Sequence, residues 1–467
     1  DCLLSRGLGD VYKRQIVNRS SLGFLAVTAC CLSPQAFGAG DEQAKSAGFI
    51  GDATWSLVNR SVYENRDYRN GGRSNGARNA YKPRNARNGY AEEWGYGMQG
   101  EVKSGFTQGT VGFGLDGHLY LAHKLDGGGG RAGKMRHMPV DNDGYDQNEV
   151  ARGGAAVKAR LSSTWVRYGE QRVKTPIFSS SDSRLLPETH TGWFLDSREI
   201  DNLVLTGGHF TGSADRNSRS NNNPLIINYA DPGRPLGNAF SFVGGTYTGV
   251  PALSLSLYGG ELEDSWRTGY LGANYTHAFT DKRALSADFN LYRSSDIGQA
   301  LAGRVSNTTA SVLLAYSEGF HKIALGYQKV DGDSPFDYVS RGAIWLGNAV
   351  QLSDFNAPNE QSWQLAYTYD MAGIGIPGLS AGAAYVRGSG IDGSDVDPTG
   401  SYAWLGYGKG GKHWERDLNL RYVVQSGGLK GLNVLLRQSL HRGNAAQAEG
   451  DTDQFRLAVE YPLTGRF

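Results

Sequence analysis

The chain has 467 residues, enough for two or three ordinary domains or for one very large one. Its 47 Lys and Arg residues balance 46 Asp and Glu residues, which excludes the global positive field typical of nucleic-acid-binding proteins. No apolar run after residue 38 is long enough for a transmembrane helix. A transmembrane β-barrel stays possible, because its strands are only half apolar.

Residues 1–38 have the features of an export leader rather than of a folded domain. The basic residues Lys13, Arg14 and Arg19 precede an apolar stretch at 22–32. Residues 36–38 follow, with small side chains at the positions that a signal peptidase recognises. A lipoprotein cleavage box ending at Cys30 is the alternative. Residues 1–14 fit neither a leader nor a folded body, and we interpret them as a non-native lead-in from gene assembly. We therefore expect signal-peptide export, followed by one folded domain over residues 39–467.

Apolar and polar residues alternate along most of this domain. Side chains on a β-strand point to opposite faces in turn, so each such segment has one apolar face and one wetter face. We count about seventeen of these segments, and no convincing helical periodicity over roughly ten residues or more. The clearest segments lie at 111–121, 157–161, 253–257, 287–291, 312–316, 323–327, 363–369, 414–424, 432–437 and 455–461.

The connections between these segments alternate in length. Short connections lie at 281–282, 318–319 and 427–428, and long ones at 66–90, 126–150, 172–200, 211–224, 331–360 and 388–412. Turns at one rim and loops at the other are typical of an outer-membrane β-barrel. A soluble sandwich would place its apolar face inside and would rarely join so many strands in one domain. We predict an all-β, transmembrane antiparallel barrel with long extracellular loops and short periplasmic turns.

Several arginines fall on the polar faces of these segments: Arg160, Arg421, Arg437 and Arg456. An inward side chain of a wide barrel meets pore water, so a row of cations there would draw anions along the lumen. The alternative is that these arginines pair with inward acids and stiffen the wall. Candidate acids for such pairs are Glu415, Asp417 and Glu460.

Signals of catalysis, metal binding or a cofactor are poor. Residues 72–76 match the nucleophile-elbow string, but they lie in a basic loop with no strand before them. The nine histidines are scattered along the chain, and Cys2, Cys30 and Cys31 leave no pair for a mature protein. Residues 331–333 resemble part of a calcium loop but lack its later ligands. We predict no enzyme, no metal site, no cofactor and no nucleic-acid partner.

Five strings together resemble the OprD family of outer-membrane porins: 104–114, 183–187, 335–338, 353–356 and 422–427. The likeness runs from about Gly48 to the carboxyl end, and the final Phe467 resembles the last residue of many outer-membrane barrels. The resemblance implies about 18 strands, with infolded loops that form an eyelet and a ladder of basic residues. It implies selective passage of small carboxylates or amino acids across the outer membrane of a Gram-negative cell.

The resemblance also implies partners: outer-membrane lipid and lipopolysaccharide, periplasmic chaperones and the barrel-assembly machinery, in a monomer or weak trimer. Carried over by position, the basic ladder comprises Arg66, Arg184 on the infolded third loop, Arg421, Arg437 and Arg456, to which the alternation adds Arg160. Tyr338 and Asp354 match polar eyelet residues of the seventh loop.

Some positions depart from the family pattern. Leu435 stands where a second wall arginine is expected, two residues before Arg437. Leu352 and Ala349 replace a tyrosine and a serine near the eyelet, and Ala343 replaces an acid that would help to bind an ammonium group.

We therefore expect passive, saturable diffusion of anionic or zwitterionic carboxylates. An outer-membrane barrel hydrolase and a structural or adhesive barrel are the alternatives.

Overall fold

Eighteen antiparallel strands make up one sheet in the computed structural model, which describes residues 41–69, 89–127, 131–142, 144–234 and 236–467. The strands are β1 Thr54–Tyr68, β2 Tyr90–Lys103, β3 Val111–Asp126, β4 Glu149–Leu161, β5 Thr164–Gln171, β6 Thr189–Ile200, β7 Leu203–Ala214, β8 Phe240–Val250, β9 Leu253–Leu262, β10 Trp266–Thr280, β11 Arg283–Asp296, β12 Ser306–Glu318, β13 His321–Gly332, β14 Gln361–Asp370, β15 Leu379–Asp392, β16 Lys409–Val423, β17 Asn433–Gly443 and β18 Thr452–Arg466. Short 3-10 helices lie at Met371–Ile374, Ala403–Leu405 and Ala445–Gln447. Within the described ranges, no helix has the length and apolar character needed to cross a membrane.

The sheet closes on itself. Each strand pairs with the next along the chain, and β1 also pairs with β18, from Thr54 opposite Arg466 to Tyr68 opposite Thr452. Closure leaves no sheet edge, which matters in hydrocarbon because unpaired backbone groups there have no water to bond with. The predicted antiparallel barrel is confirmed, and the wall holds 18 strands.

Strand β13 shows which face of the wall is apolar. Ile323, Leu325 and Tyr327 point outward and are 48%, 57% and 49% exposed. The alternate residues of the strand point inward, and among them Ala324 and Gln328 are buried. This inside-out arrangement follows from a lipid environment, in which apolar side chains on the outer surface are favourable and polar ones belong in the lumen.

The two ends of the barrel differ in their connections. At one end, called the long-loop rim, the connections include 69–89, 127–148, 172–188, 215–239, 333–360 and 393–408. At the other end, the short-turn rim, they include 162–163, 201–202, 251–252, 281–282 and 319–320. Several predicted loops were wrong in their bounds. The range 172–200 contains strand β6, and 211–224 overlaps β7 and belongs to a loop that extends to 239. The ranges 66–90 and 388–412 overlap the ends of the strands that flank them.

Several long connections fold back into the barrel and fill much of it. Phe178, Tyr229 and Phe336 come from the segments 172–188, 215–239 and 333–360, and all three are fully buried. They pack against aromatic side chains of the wall: the ring centroids of Phe178 and Phe210 are 4.8 Å apart, and those of Phe336 and Tyr292 are 4.7 Å apart. The predicted leader (1–38) and the string 72–76 lie outside the described residues.

Candidate functional site

Loop 172–188 crosses the lumen against strand β2. A Cβ atom on Gly97 would lie 2.6 Å from the carbonyl oxygen of Leu185, so this close approach requires glycine. Gln99 Nε2 donates to the same carbonyl at 2.9 Å. The loop is therefore held inside the barrel by its backbone as well as by its side chains.

Two carboxylates of this loop fix its position. Asp182 binds Arg60 Nη1 of β1 at 2.6 Å and Arg172 Nη2 at 3.0 Å. Burial disfavours the charged carboxylate, but the two guanidinium groups outweigh it and hold the pKa of Asp182 below its usual range. Glu188 accepts the backbone N–H of Arg341 at 3.0 Å, which joins this loop to loop 333–360. This contact therefore ties the two infolded loops to each other. The part of the lumen beside them is called the constriction below.

A band of polar side chains crosses the inner wall at the constriction. Arg437 of β17 and Arg456 of β18 stand side by side in register. The same register places Asn419 beside Arg437 and, across the seam of the barrel, Glu64 of β1 beside Arg456. Glu93 of β2 comes next to Glu64. This polar band therefore changes from two cations to two acids over four neighbouring strands.

Glu64 lies among most of the positively charged side chains near the band. It is fully buried, and its carboxylate lies 2.7 Å from Arg66, 3.7 Å from Arg456 and 4.0 Å from Arg184. His137 Nε2 is 3.4 Å away. Burial lowers the pKa of His137 to about 4, so at neutral pH the imidazole is uncharged and the arginines balance Glu64.

The other predicted arginines occupy different places. Arg421 lies nearer the short-turn rim, partly buried, and donates to Asn433 Oδ1 at 2.8 Å. Leu435 faces it on β17, in the position where a further wall arginine is expected. Arg160 lies at the short-turn rim, where it donates to Gln43 Oε1 at 2.9 Å and stacks 4.2 Å from the ring of Phe106. The structure therefore brings Arg66, Arg184, Arg437 and Arg456 to one level and leaves Arg160 at the end of the barrel.

The predicted eyelet residues Tyr338 and Asp354 contact each other. Asp354 Oδ2 accepts hydrogen bonds from Tyr338 Oη at 2.8 Å and from Tyr229 Oη at 2.7 Å. The neighbouring Asp337 accepts four backbone N–H groups and organises the meeting point of loops 215–239 and 333–360. Burial nevertheless raises the pKa of Asp337 to about 7, against the effect of those hydrogen bonds.

Acidic side chains on the inner face of the wall bind the infolded loops as well as the arginines. Glu415 of β16 accepts the backbone N–H groups of Leu352 and Ser353 at 2.7 and 2.9 Å, and so ties loop 333–360 to the wall. Glu460 binds Arg60 at 2.6 Å. Three positions of loop 333–360 that differ from the family pattern are all buried: Ala343, Ala349 and Leu352.

Sequence reasoning missed Glu64 and Tyr229. It placed a long connection at 66–90 and so assigned Arg66 to a loop, whereas β1 continues to Tyr68 and both Glu64 and Arg66 point inward. The available signal was the spacing of Val62, Glu64 and Arg66, which share one face of a strand. Tyr229 lies in an irregular loop, where no periodicity marks a functional position.

The chain is similar to known porins over most of its length. A family model described as "outer membrane porin, OprD family" matches residues 47–465. Porin D of Pseudomonas aeruginosa is 42% identical over 433 residues, which cover 91% of this chain and 93% of that protein. The crystal structure of Pseudomonas aeruginosa OprD has a TM-score of 0.77 at 40% identity and covers 92% of this chain and 99% of that one. Pseudomonas aeruginosa OpdK with vanillate has a TM-score of 0.78 at 33% identity, covering 90% of this chain and 100% of that one.

Proposed function

Because the chain belongs to the OprD family of outer-membrane porins, and is therefore a selective channel for small molecules, we propose that its solutes are small carboxylates or amino acids. The observation that carries this proposal is the side-by-side placement of Arg437 and Arg456 at the constriction. Two neighbouring guanidinium groups favour anions over cations in a narrow, water-filled passage. The relative OpdK was solved with vanillate, which is itself a carboxylate.

The arginines would act in succession. A carboxylate exchanges water for charge-assisted hydrogen bonds at Arg456 and Arg437, and then at Arg421 closer to the short-turn rim. Arg437 and Arg456 are themselves largely buried, at 4% and 8% exposed, and keep only a small surface for this contact. Arg66 and Arg184 are completely buried against Glu64, so they would contribute positive potential rather than direct contact. Arg160 would complete the path at the exit. Each rung binds weakly, because a tight site would trap the solute, and the diffusion is passive and saturable.

The other end of the solute would meet the eyelet. Asp354 and Tyr338, each 8% exposed, would offer a carboxylate and a hydroxyl group, and the fully buried Tyr229 holds Asp354 in place. Tyr270 and Tyr292 lie on strands β10 and β11, across the barrel from the β18–β1 seam. They pack against Trp345 and Phe336 of loop 333–360 and so support the eyelet from behind.

The hydrolase alternative has one feature to weigh. His190 Nε2 lies 3.0 Å from Ser340 Oγ, and Glu188 Oε2 lies 3.1 Å from the same oxygen. All three side chains are fully buried, and Ser340 Oγ donates to the backbone carbonyl of Ser179. The serine therefore lies buried in the contact between two infolded loops, where no substrate reaches its hydroxyl group. This geometry favours a porin over a hydrolase.

The channel lies in the outer membrane, as in its family. We infer that residues 1–38 direct its export and that periplasmic chaperones and the barrel-assembly machinery insert it beside lipid and lipopolysaccharide. The outward apolar face supports this, because exposed side chains such as Leu325 require a lipid partner. A monomer or weak trimer is the proposed assembly.

Planar-bilayer recording tests the role of the arginine pair. The double variant Arg437→Gln/Arg456→Gln should lower the permeability of benzoate relative to potassium. Each charge contributes about 1 kcal/mol to an anion at 4 Å in water, a factor of about five per arginine. Arg416→Gln is the matched control, because Arg416 lies exposed on the outer face of β16. An unchanged permeability ratio in the double variant would overturn the proposal, and so would an equal loss in the control.

A further inference from the structure

Two histidines and a glutamate converge near the long-loop rim, on strands β16 and β17 and the loop 444–451. His413 Nδ1 lies 2.7 Å from His441 Nε2. Glu449 Oε2 is 3.2 Å from the same nitrogen of His441 and 3.7 Å from that of His413. Both imidazoles are buried. The linear sequence hides this cluster, because only the pairing of β16 with β17 brings the two histidines together.

The hydrogen bonds of the two outer ring nitrogens, those that point away from the other histidine, fix the protonation of the two inner ones. His413 Nε2 is 2.5 Å from Glu360 Oε1, and His441 Nδ1 is 2.8 Å from the carbonyl oxygen of Gly450. Both partners accept hydrogen bonds, and a carbonyl can only accept, so each ring places its N–H on the outer side. In the neutral state the two inner nitrogens then direct their lone pairs at each other. Such an arrangement repels unless a cation, either a proton or a metal ion, lies between them.

We propose that His413 Nδ1, His441 Nε2 and Glu449 Oε2 bind a divalent transition-metal ion, with Zn²⁺ as the reference ion. Zinc–ligand distances of 2.0–2.2 Å in a tetrahedral site require ligand atoms about 3.3 Å apart. The two distances to Glu449, 3.2 and 3.7 Å, bracket that value, and the histidine pair has to open slightly. Glu360 and the Gly450 carbonyl are the outer partners that fix the ring orientation of metal-binding histidines.

The charge around the cluster fits a divalent ion. Glu449 and Glu360 supply two carboxylates, so an ion of charge two is neutralised inside the buried site. Imidazole nitrogens favour zinc, copper or nickel over magnesium or calcium, which prefer all-oxygen sites. The donor set therefore selects a transition metal.

A bound ion would join three parts of the long-loop rim. It would link the wall strands β16 and β17 to loop 444–451 through Glu449, and to loop 333–360 through Glu360. Phe355 of that loop stacks on the His413 ring with centroids 4.2 Å apart, and it follows the eyelet residue Asp354. The metal site thus adds a structural connection to the eyelet loop, separate from the arginine pair.

Calorimetric titration of the chelator-treated, detergent-folded protein with ZnCl₂ tests this site. The wild type should bind one Zn²⁺ per chain, and His441→Gln and Glu449→Gln should each abolish that binding. Glu360→Gln keeps all three proposed ligands and should weaken Zn²⁺ binding by about 10- to 100-fold. His321→Gln is the matched control, since His321 is exposed on β13 at the other rim.

Two readouts separate metal binding from misfolding. Heat-modifiable electrophoretic mobility reports whether each variant forms a barrel, and the isosteric Glu449→Gln carries the test if His441→Gln does not fold. Co²⁺ titration should give the visible absorption of a tetrahedral nitrogen and oxygen site in the wild type. No Zn²⁺ binding by the folded wild type, or equal binding by folded Glu449→Gln, would overturn the proposal.

Discussion

At the scale of single residues, Glu64 is the acid on which the arginines around the constriction depend. Its carboxylate lies within 4.0 Å of Arg66, Arg184 and Arg456. Glu64→Gln should make the pore more anion-selective, because it removes one negative charge from a group of buried cations. It should also destabilise the barrel by about 3–5 kcal/mol, as is typical when one partner of a buried ion pair is lost. Reversal potentials in a KCl gradient measure the first effect, and urea unfolding in detergent measures the second.

Glu318→Gln is the control for this experiment. Glu318 pairs with Arg283 at 2.6 Å, but both side chains are about half exposed at the short-turn rim. An exposed pair of this kind contributes about 0–1 kcal/mol, so neither selectivity nor stability should change appreciably. If Glu64→Gln folds and shows the reversal potential of the wild type, the buried cations do not set the selectivity of the pore.

Alternation along a strand was enough to assign inward positions to Arg437 and Arg456, because each falls on the polar face of an alternating segment. It could not show that Arg456 stands beside Glu64, since that contact crosses the seam between the first and last strands. Nor could it show that Arg184 is buried, because the path of an infolded loop depends on close approaches such as that of Leu185 to Gly97.

At the scale of elements, loop 172–188 depends on Asp182 for its attachment to the wall. Asp182→Asn should loosen the loop, because it removes the charge that holds both Arg60 and Arg172. We expect more frequent closures and subconductance levels in single-channel records. Asp281→Asn, in an exposed turn at the opposite rim, should leave the records unchanged.

Acid should reproduce this effect in the wild type. Asp182 is paired with Arg60 and Arg172 in the folded protein, and its pKa there is therefore below the ordinary aspartate value of about 3.9. The pair therefore stabilises the docked loop fully above that value, and the stabilisation is lost as pH falls through the lower, folded-state pKa. The part of the channel noise that depends on Asp182 is the difference between the wild type and Asp182→Asn, because Asp337, with its pKa of about 7, is present in both. This difference should stay constant from neutral pH to about pH 5 and shrink only in stronger acid. A difference that already disappears between neutral pH and about pH 5 would contradict this assignment.

Strand β6 shows why some elements were missed. Trp193 and Leu195 point outward and are exposed, but Phe194 between them is also apolar and buried in the lumen. Three consecutive apolar residues remove the contrast of period two on which strand prediction relies. The inner face is apolar here because the infolded loops pack against it, and that contact is tertiary. Strand β18 has polar residues on its inner face, such as Gln454 and Arg456, so it keeps its contrast and was predicted.

At the scale of the whole molecule, closure and register create the polar band. Strand β18 pairs with β1 over its full length and with β17 over most of it. Arg437, Arg456 and Glu64 meet only because the two ends of the chain join in this register. A shift of one residue would turn every inward side chain of the shifted part toward the lipid.

Inserting one alanine between Ala458 and Val459 tests this dependence. The insertion displaces the segment 452–458 by one position and would turn Arg456 toward the hydrocarbon, where arginine costs about 2–4 kcal/mol at the midplane. We expect no heat-modifiable folded band and no insertion into vesicles. The same insertion between Gly427 and Gly428, which are exposed at the short-turn rim, should be tolerated. A folded barrel with wild-type selectivity from the strand insertion would mean that β18 absorbs the residue as a bulge, and that the register at Arg456 is not what positions the band.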